Sequence, residues 1–227
     1  MEDRTSHVDA DCYDRMVREM YEKYGTVTLP PEYSYYVREN MLQFLIRLAR
    51  YKFVAKHLSI SDDILEVGCG SGLGTLFLSQ FCRSVTAIDC NSQWIEEACA
   101  LNTRENVSFQ VRDFTDFTAD QGFDALVSLD VLEHLSVEEG KKFIGRAADM
   151  IKADGMLVIG TPSLHSYEYQ GELSRAAHVK CYDLSELKDL ISGSFGRVLT
   201  FSMNDEIVHT GHPKMAWYYF VLAFYPR

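Results

Sequence analysis

Eleven residues constrain this 227-residue chain more than any others: Ile64-Leu65-Glu66-Val67-Gly68-Cys69-Gly70-Ser71-Gly72-Leu73-Gly74. A short apolar run passes directly into alternating glycines and then into helix-forming residues. Glycine accepts left-handed φ and lacks a Cβ, so a strand ending this way lets a ligand approach backbone. The same β-branched character returns at Val85–Ile88, Val107–Val111, Ala125–Leu129 and Met156–Ile159, separated by amphipathic segments over 72–81, 92–102, 137–152 and 184–192. That alternation predicts parallel strands joined by right-handed helical crossovers. Ser136 followed by Glu139 forms a capping box for the third helix, and Asp183 or Ser185 caps the fourth. Val198–Met203 and Met215–Phe224 read as two further strands around a polar loop, closing the sheet with an antiparallel pair. The expected fold is α/β: a doubly wound, seven-stranded, mostly parallel sheet whose last strand is antiparallel.

Residues 1–57 show helical periodicity without strand character, with Met16, Met20 and Tyr24 on one face and Met41, Phe44, Leu45, Leu48 and Phe53 after the Pro30-Pro31 break. They are expected to form an N-terminal helical cap on a domain spanning 58–227, the two making one compact unit. The segment 161–182 is a long connection lacking clear periodicity, a place where functional loops are found. The chain is large enough for one sizeable core. Its 22 Lys and Arg against 33 Asp and Glu give a net charge of −11, which repels phosphate backbones and anionic membrane surfaces, so neither nucleic acid nor membrane is an expected partner. No basic and apolar leader is evident, and the longest apolar stretch, Ala216 to Tyr225, is about half the roughly 20 residues of a spanning helix. Six cysteines without a CxxC pair suit reduced thiols and a cytoplasmic setting. The oligomeric state is left open.

Asp89 lies at the end of the second strand, where its carboxylate can accept bonds from two ribose hydroxyls, and Asp113 with Phe114 follows the third strand. In a parallel sheet these features converge with the glycine turn on one crevice at the carboxyl edge. Glu66-Val67-Gly68-Cys69-Gly70-Ser71-Gly72, Asp89, Arg112-Asp113-Phe114 and Asp130-Val131-Leu132-Glu133-His134 resemble the successive motifs of class I S-adenosylmethionine-dependent methyltransferases over roughly residues 60–160. The resemblance implies a Rossmann-like sheet and S-adenosylmethionine as cofactor, with S-adenosylhomocysteine as product. It further implies that Glu66 orients the turn and the methionine part, that Gly68, Cys69, Gly70 and Gly72 surround the cofactor, and that Asp89 holds the ribose. Asp113 would accept from the adenine amino group beside the Phe114 backbone, Cys90 would pack on the adenine face, and the Leu129 carbonyl would take the methionine ammonium. Nicotinamide oxidoreductases also pair a glycine turn with an acidic residue, but the Glu66 charge opposes a pyrophosphate.

Methyl transfer to a hydroxyl needs a positioned acceptor and a base of near-neutral pKa, which singles out His134, past the fourth strand, and His178, closing the 161–182 segment. Asp130, Glu133 and His134 also resemble the metal-ligand triplet of certain quinone O-methyltransferases and small-RNA 3′-end methyltransferases, with His178 as a fourth ligand. A divalent metal is compatible with them, and none is assigned. The tail around Asn204, Asp205, Glu206 and Trp217-Tyr218-Tyr219 is similar to methyltransferases of polysaccharide biosynthesis, which implies a small acceptor such as a sugar or nucleotide-linked sugar. The alternatives are N-methylation of an amino sugar or other small amine, a quinone- or phenol-type O-methyltransferase, and a cofactor-binding partner subunit without catalysis.

Overall fold

A computed structural model of the chain describes residues 10–227, so the first nine residues of the expected cap lie outside it. An eight-stranded sheet runs in the order β3-β2-β1-β4-β5-β8-β6-β7. β1 (Asp63–Val67), β2 (Ser84–Asp89), β3 (Val107–Val111), β4 (Phe123–Leu129) and β5 (Ile151–Pro162) are parallel, and β8 (Tyr218–Pro226) lies antiparallel between β5 and β6 (Phe195–Asn204). The central strands carry continuous apolar runs because both faces are covered, as buried parallel sheets require. α6 (Val137–Met150) and α8 (Leu184–Ser192) cover one face, packing Ile144, Ala147, Leu187 and Ile191 against Leu65, Leu126 and Leu157. α3 (Met41–Ala55), α4 (Leu73–Leu78) and α5 (Ser92–Leu101) cover the other, where Ala49, Val54 and Ala55 join Ile64, Val85 and Val127 in one cluster. Phe53 of α3 also meets the Phe220 ring at 4.4 Å.

The expected strands and helices are present, and three features differ. The eighth strand is β7 (Ile207–His209), which pairs with β6 inside the polar loop; three residues are too few to show a two-residue period. The 161–182 segment contains a 3-10 turn over Leu164–Tyr169 and α7 (Glu172–Ala177), which buries no residue and therefore has no apolar stripe. α1 (Ala10–Tyr24) and α2 (Pro31–Glu39) are helical as expected, but Met16, Met20 and Tyr24 are exposed by 62%, 50% and 68%, so their shared face is not a packing face. Asn91 caps α5, and capping boxes built on Ser136–Glu139 and Asp183–Glu186 start α6 and α8.

The two edges of the sheet differ in chemistry. At the amino ends of the strands, Arg83 pairs with Asp63, Lys152 pairs with Asp124 at 2.8 Å, and the Asp63 amide donates to Asp124 at 2.8 Å. The carboxyl ends open into a cavity of about 1740 Å³. No helix among the described residues is long and apolar enough to cross a membrane.

Candidate active site

The glycine turn is shaped by the chain's own packing as much as by space for a ligand. Gly68, Gly70 and Gly72 have φ of 79°, 53° and 84°. A Cβ at Gly68 would overlap the Val131 side chain, and one at Gly72 would come within 2.7 Å of Ala98 and Phe109. Gly70 alone of the three faces open space. Gly68, Cys69 and Gly70 line the cavity, and Gly72 packs against Ala98 and Phe109.

Asp89 is buried and sits in the cavity wall. Its Oδ2 accepts from the Gly70 amide at 3.0 Å and its Oδ1 from the Asn91 amide at 2.9 Å, so the carboxylate is rigidly placed while each oxygen keeps capacity for another donor. Asp113 accepts from the amide and hydroxyl of Thr115, both at 2.8 Å, and these bonds hold its carboxyl below the usual range. Phe114 packs on Phe143 with ring centres 4.7 Å apart, while Arg146 donates to the Phe114 carbonyl at 2.6 Å. Cys90 is exposed in the same wall, its thiol raised by burial of the sulfur and by Asp89. All six cysteines are free, and Leu129 also reaches the cavity.

Glu66 stands behind the turn, fully buried and outside the cavity wall. Burial pushes its carboxyl up to about 7, with the Thr75 and Tyr51 hydroxyls pulling it down and Asp89 adding to the rise. Its Oε2 is buried without a partner.

Elsewhere in the wall, His134 and His178 meet edge to face at 5.2 Å, and both line the cavity. His134 Nδ1 lies 3.0 Å from the Ala177 carbonyl, an arrangement that places the ring proton on Nδ1 and leaves Nε2 basic. Burial and His134 lower the pKa of His178, and Asp130 opposes them. Glu133 is buried; its Oε2 accepts from Thr161 at 2.9 Å while Oε1 has no partner, and burial together with Asp130 raises its pKa. Glu133, His134 and His178 each offer a ligand atom within 4.8 Å of the others. Two imidazoles and one carboxylate suit a transition-type divalent ion better than magnesium alone. Asp130 is not in this group: Arg50 holds its Oδ2 at 2.6 Å, and its backbone is left-handed at φ 56°.

Three cavity residues, Arg47, Arg50 and Tyr51, were not singled out from sequence. Arg47 pairs with Glu32 at 2.8 Å and stacks on Tyr36 at 4.9 Å. Arg50 stacks on Tyr218 at 4.0 Å, and the Tyr218 hydroxyl is buried without a partner. Tyr51 covers Gly74 so closely that a Cβ there would overlap its ring. The discoverable signal was two arginines three positions apart on the mainly apolar α3. At the cavity rim Tyr169 and Trp217 stack at 6.0 Å, exposed by 74% and 58%. In the tail, Asn204 donates to the Met215 carbonyl at 2.9 Å and faces His209 Nε2 at 3.0 Å. Asp205 reaches the cavity.

Sheet order and glycine turn together define a Rossmann-like α/β fold with a crevice at the carboxyl edge of the sheet. Residues 64–155 match the methyltransferase domain family. Among curated proteins, the chain is 31% identical over 121 residues to the ubiquinone biosynthesis O-methyltransferase of Coxiella burnetii, covering 52% of this chain and 51% of that one. The protein of the same name from Rickettsia bellii is 34% identical over 113 residues, covering 48% and 46%. The chain thus spans about half the length of the curated relatives it matches. The fold is shared with N-methyltransferase NodS of Bradyrhizobium japonicum in complex with S-adenosylhomocysteine, with TM-score 0.56, 20% identity and coverage of 82% and 85%. A methyltransferase of Thermotoga maritima matches at TM-score 0.67 and 14% identity, covering 91% and 98%.

Proposed function

We propose that this chain is an S-adenosylmethionine-dependent methyltransferase that transfers the methyl group to a hydroxyl of a small, ring-bearing acceptor of the phenol or quinone type. The observation that carries this reading is the convergence of Gly70, Asp89 and Asp113 with the His134–His178 pair on a single cavity. When bound, the cofactor supplies an electrophilic methyl on sulfur that leaves without acid assistance. Asp89 receives the ribose hydroxyls, Asp113 the adenine amino group and the Leu129 carbonyl the methionine ammonium, with Cys90 beside the adenine. His134 Nε2 would take the proton of the acceptor hydroxyl, freeing its oxygen for the methyl group that the cofactor would supply, with S-adenosylhomocysteine as the product. The aromatic rim of Tyr169 and Trp217 favours a flat acceptor ring.

A second reading rests on the grouping of Glu133, His134 and His178. These residues would hold a divalent ion, whose chemistry is to polarise the acceptor hydroxyl in place of proton removal by a free imidazole.

Calorimetric titration with S-adenosylmethionine and S-adenosylhomocysteine, with Asp89→Ala as control, tests the cofactor; absence of binding overturns the reading. Turnover on catechols, sugars and amines then tests the acceptor. His134→Ala should retain cofactor affinity and lose roughly 10²–10⁴-fold in kcat, the range of a general base. An unchanged rate would turn the assignment toward an amine, which attacks when neutral. Activity lost on chelation and restored by added metal supports the second reading, and activity indifferent to chelation removes it.

A further inference from the structure

We propose that Arg50 and Tyr51, adjacent on α3, are positioning residues that fix the two loops forming the walls of the cofactor site. The inference rests on the methyltransferase reading and assigns a function to a helix outside the matched domain, which begins at residue 64.

Each residue grips a different wall. The Tyr51 ring lies on Gly74, in the space a side chain there would fill, and its hydroxyl faces the Glu66 carboxyl beneath the glycine turn. Gly74 is thereby a seat for Tyr51, a role separate from that of Gly70. Arg50 grips the loop after β4: its guanidinium, 12% exposed, pairs with Asp130 Oδ2 at 2.6 Å and lies on the Tyr218 ring. Asp130 holds a left-handed backbone that is disfavoured for a non-glycine residue, and the partly buried ion pair keeps it there. The next residue, Val131, fits against Gly68, so the loop and the turn also touch each other. Leu129 and His134, which face the methionine end and the acceptor, flank the gripped residue. A shift of α3 would disturb both walls, because Tyr51 contacts the turn and Arg50 the loop.

The test is two double-mutant cycles read by calorimetric titration with S-adenosylhomocysteine, with thermal unfolding and circular dichroism recorded for every variant. Tyr51→Phe removes one oxygen and keeps the ring on Gly74; it should weaken binding about tenfold, and the loss should shrink to less than about twofold when Glu66→Gln is already present, as expected for groups in contact. Arg50→Gln should weaken binding by about tenfold or more, and Asp130→Asn in the same chain should recover part of the loss by removing the uncompensated carboxylate. Losses that track only the melting temperature, or that add independently in either cycle, overturn the proposal. Should Arg50→Gln fail to fold, Arg50→Lys takes its place in the cycle. Failure of the unsubstituted protein to bind S-adenosylhomocysteine overturns the methyltransferase reading and this inference with it; normal binding by Tyr51→Phe and Arg50→Gln overturns the inference alone.

Discussion

Gly68 and Gly72 lack side chains because Val131, Ala98 and Phe109 occupy the space, while Gly70 lacks one facing the cavity. Alanine should therefore separate them. Gly68→Ala and Gly72→Ala combine overlap with a left-handed backbone and should each lower stability by about 2 kcal/mol or more, read as a fall in melting temperature. Gly70→Ala should lose only about 1 kcal/mol, from its positive φ, and should show its larger effect as weakened S-adenosylhomocysteine binding. Glu66 gives a prediction in pH. Below 4.5 its carboxyl is neutral in both folded and unfolded chains; between 4.5 and about 7 the unfolded chain ionises while the folded one keeps its proton. Stability accordingly falls with rising pH across that window and levels off above it, by up to roughly 3 kcal/mol. Urea unfolding of Glu66→Gln between pH 4.5 and 7.5 should lack this slope, and equal slopes in both proteins would refute the assignment. At this scale the sequence disclosed residues whose neighbours in sequence announce them: the glycine turn, Asp89, Asp113 and His134. Arg47, Arg50 and Tyr51 acquire meaning only through partners distant in sequence, Glu32 for Arg47, Asp130 and Tyr218 for Arg50 and Gly74 for Tyr51, and all three sit in a helix whose mainly apolar pattern conceals them.

The elements with buried faces were legible, since burial imposes periodicity: α6 and α8 were placed by their apolar spacing and by the capping residues Ser136 and Asp183. Ser136 accepts from the Glu139 amide while the Glu139 carboxylate accepts from the Ser136 amide at 2.8 Å. Ser136→Ala should cost about 1 kcal/mol, measurable as a lowered urea midpoint with unchanged m-value. β7 and α7 escaped notice for the opposite reason, one being three residues long and the other having no buried residue. The α1 pattern shows the converse error. Met16, Met20 and Tyr24 share a face that is exposed, because no side chain described in α1 is buried.

Across the whole molecule, α1 and α3 have different standing despite their common place before the sheet. Deletion of residues 1–29 removes a helix without buried side chains and should leave S-adenosylhomocysteine affinity unchanged within error. Deletion of 1–57 removes Ala49, Val54 and Ala55 from the core along with Arg50 and Tyr51, and should abolish binding or folding. Retained binding by the longer deletion would place the cofactor site wholly within the sheet domain.

The separation of the two sheet edges bears on how such a chain can change over time. Asp63–Arg83 and Asp124–Lys152 lie at the amino ends of the strands, with the candidate site at the other end. Substitutions that strengthen those ion pairs act at a distance from the chemistry, so robustness can accumulate on one rim while the acceptor-facing rim of Tyr169, Trp217 and Asp205 drifts toward new substrates. A lineage built this way can explore acceptors without first surrendering its stability.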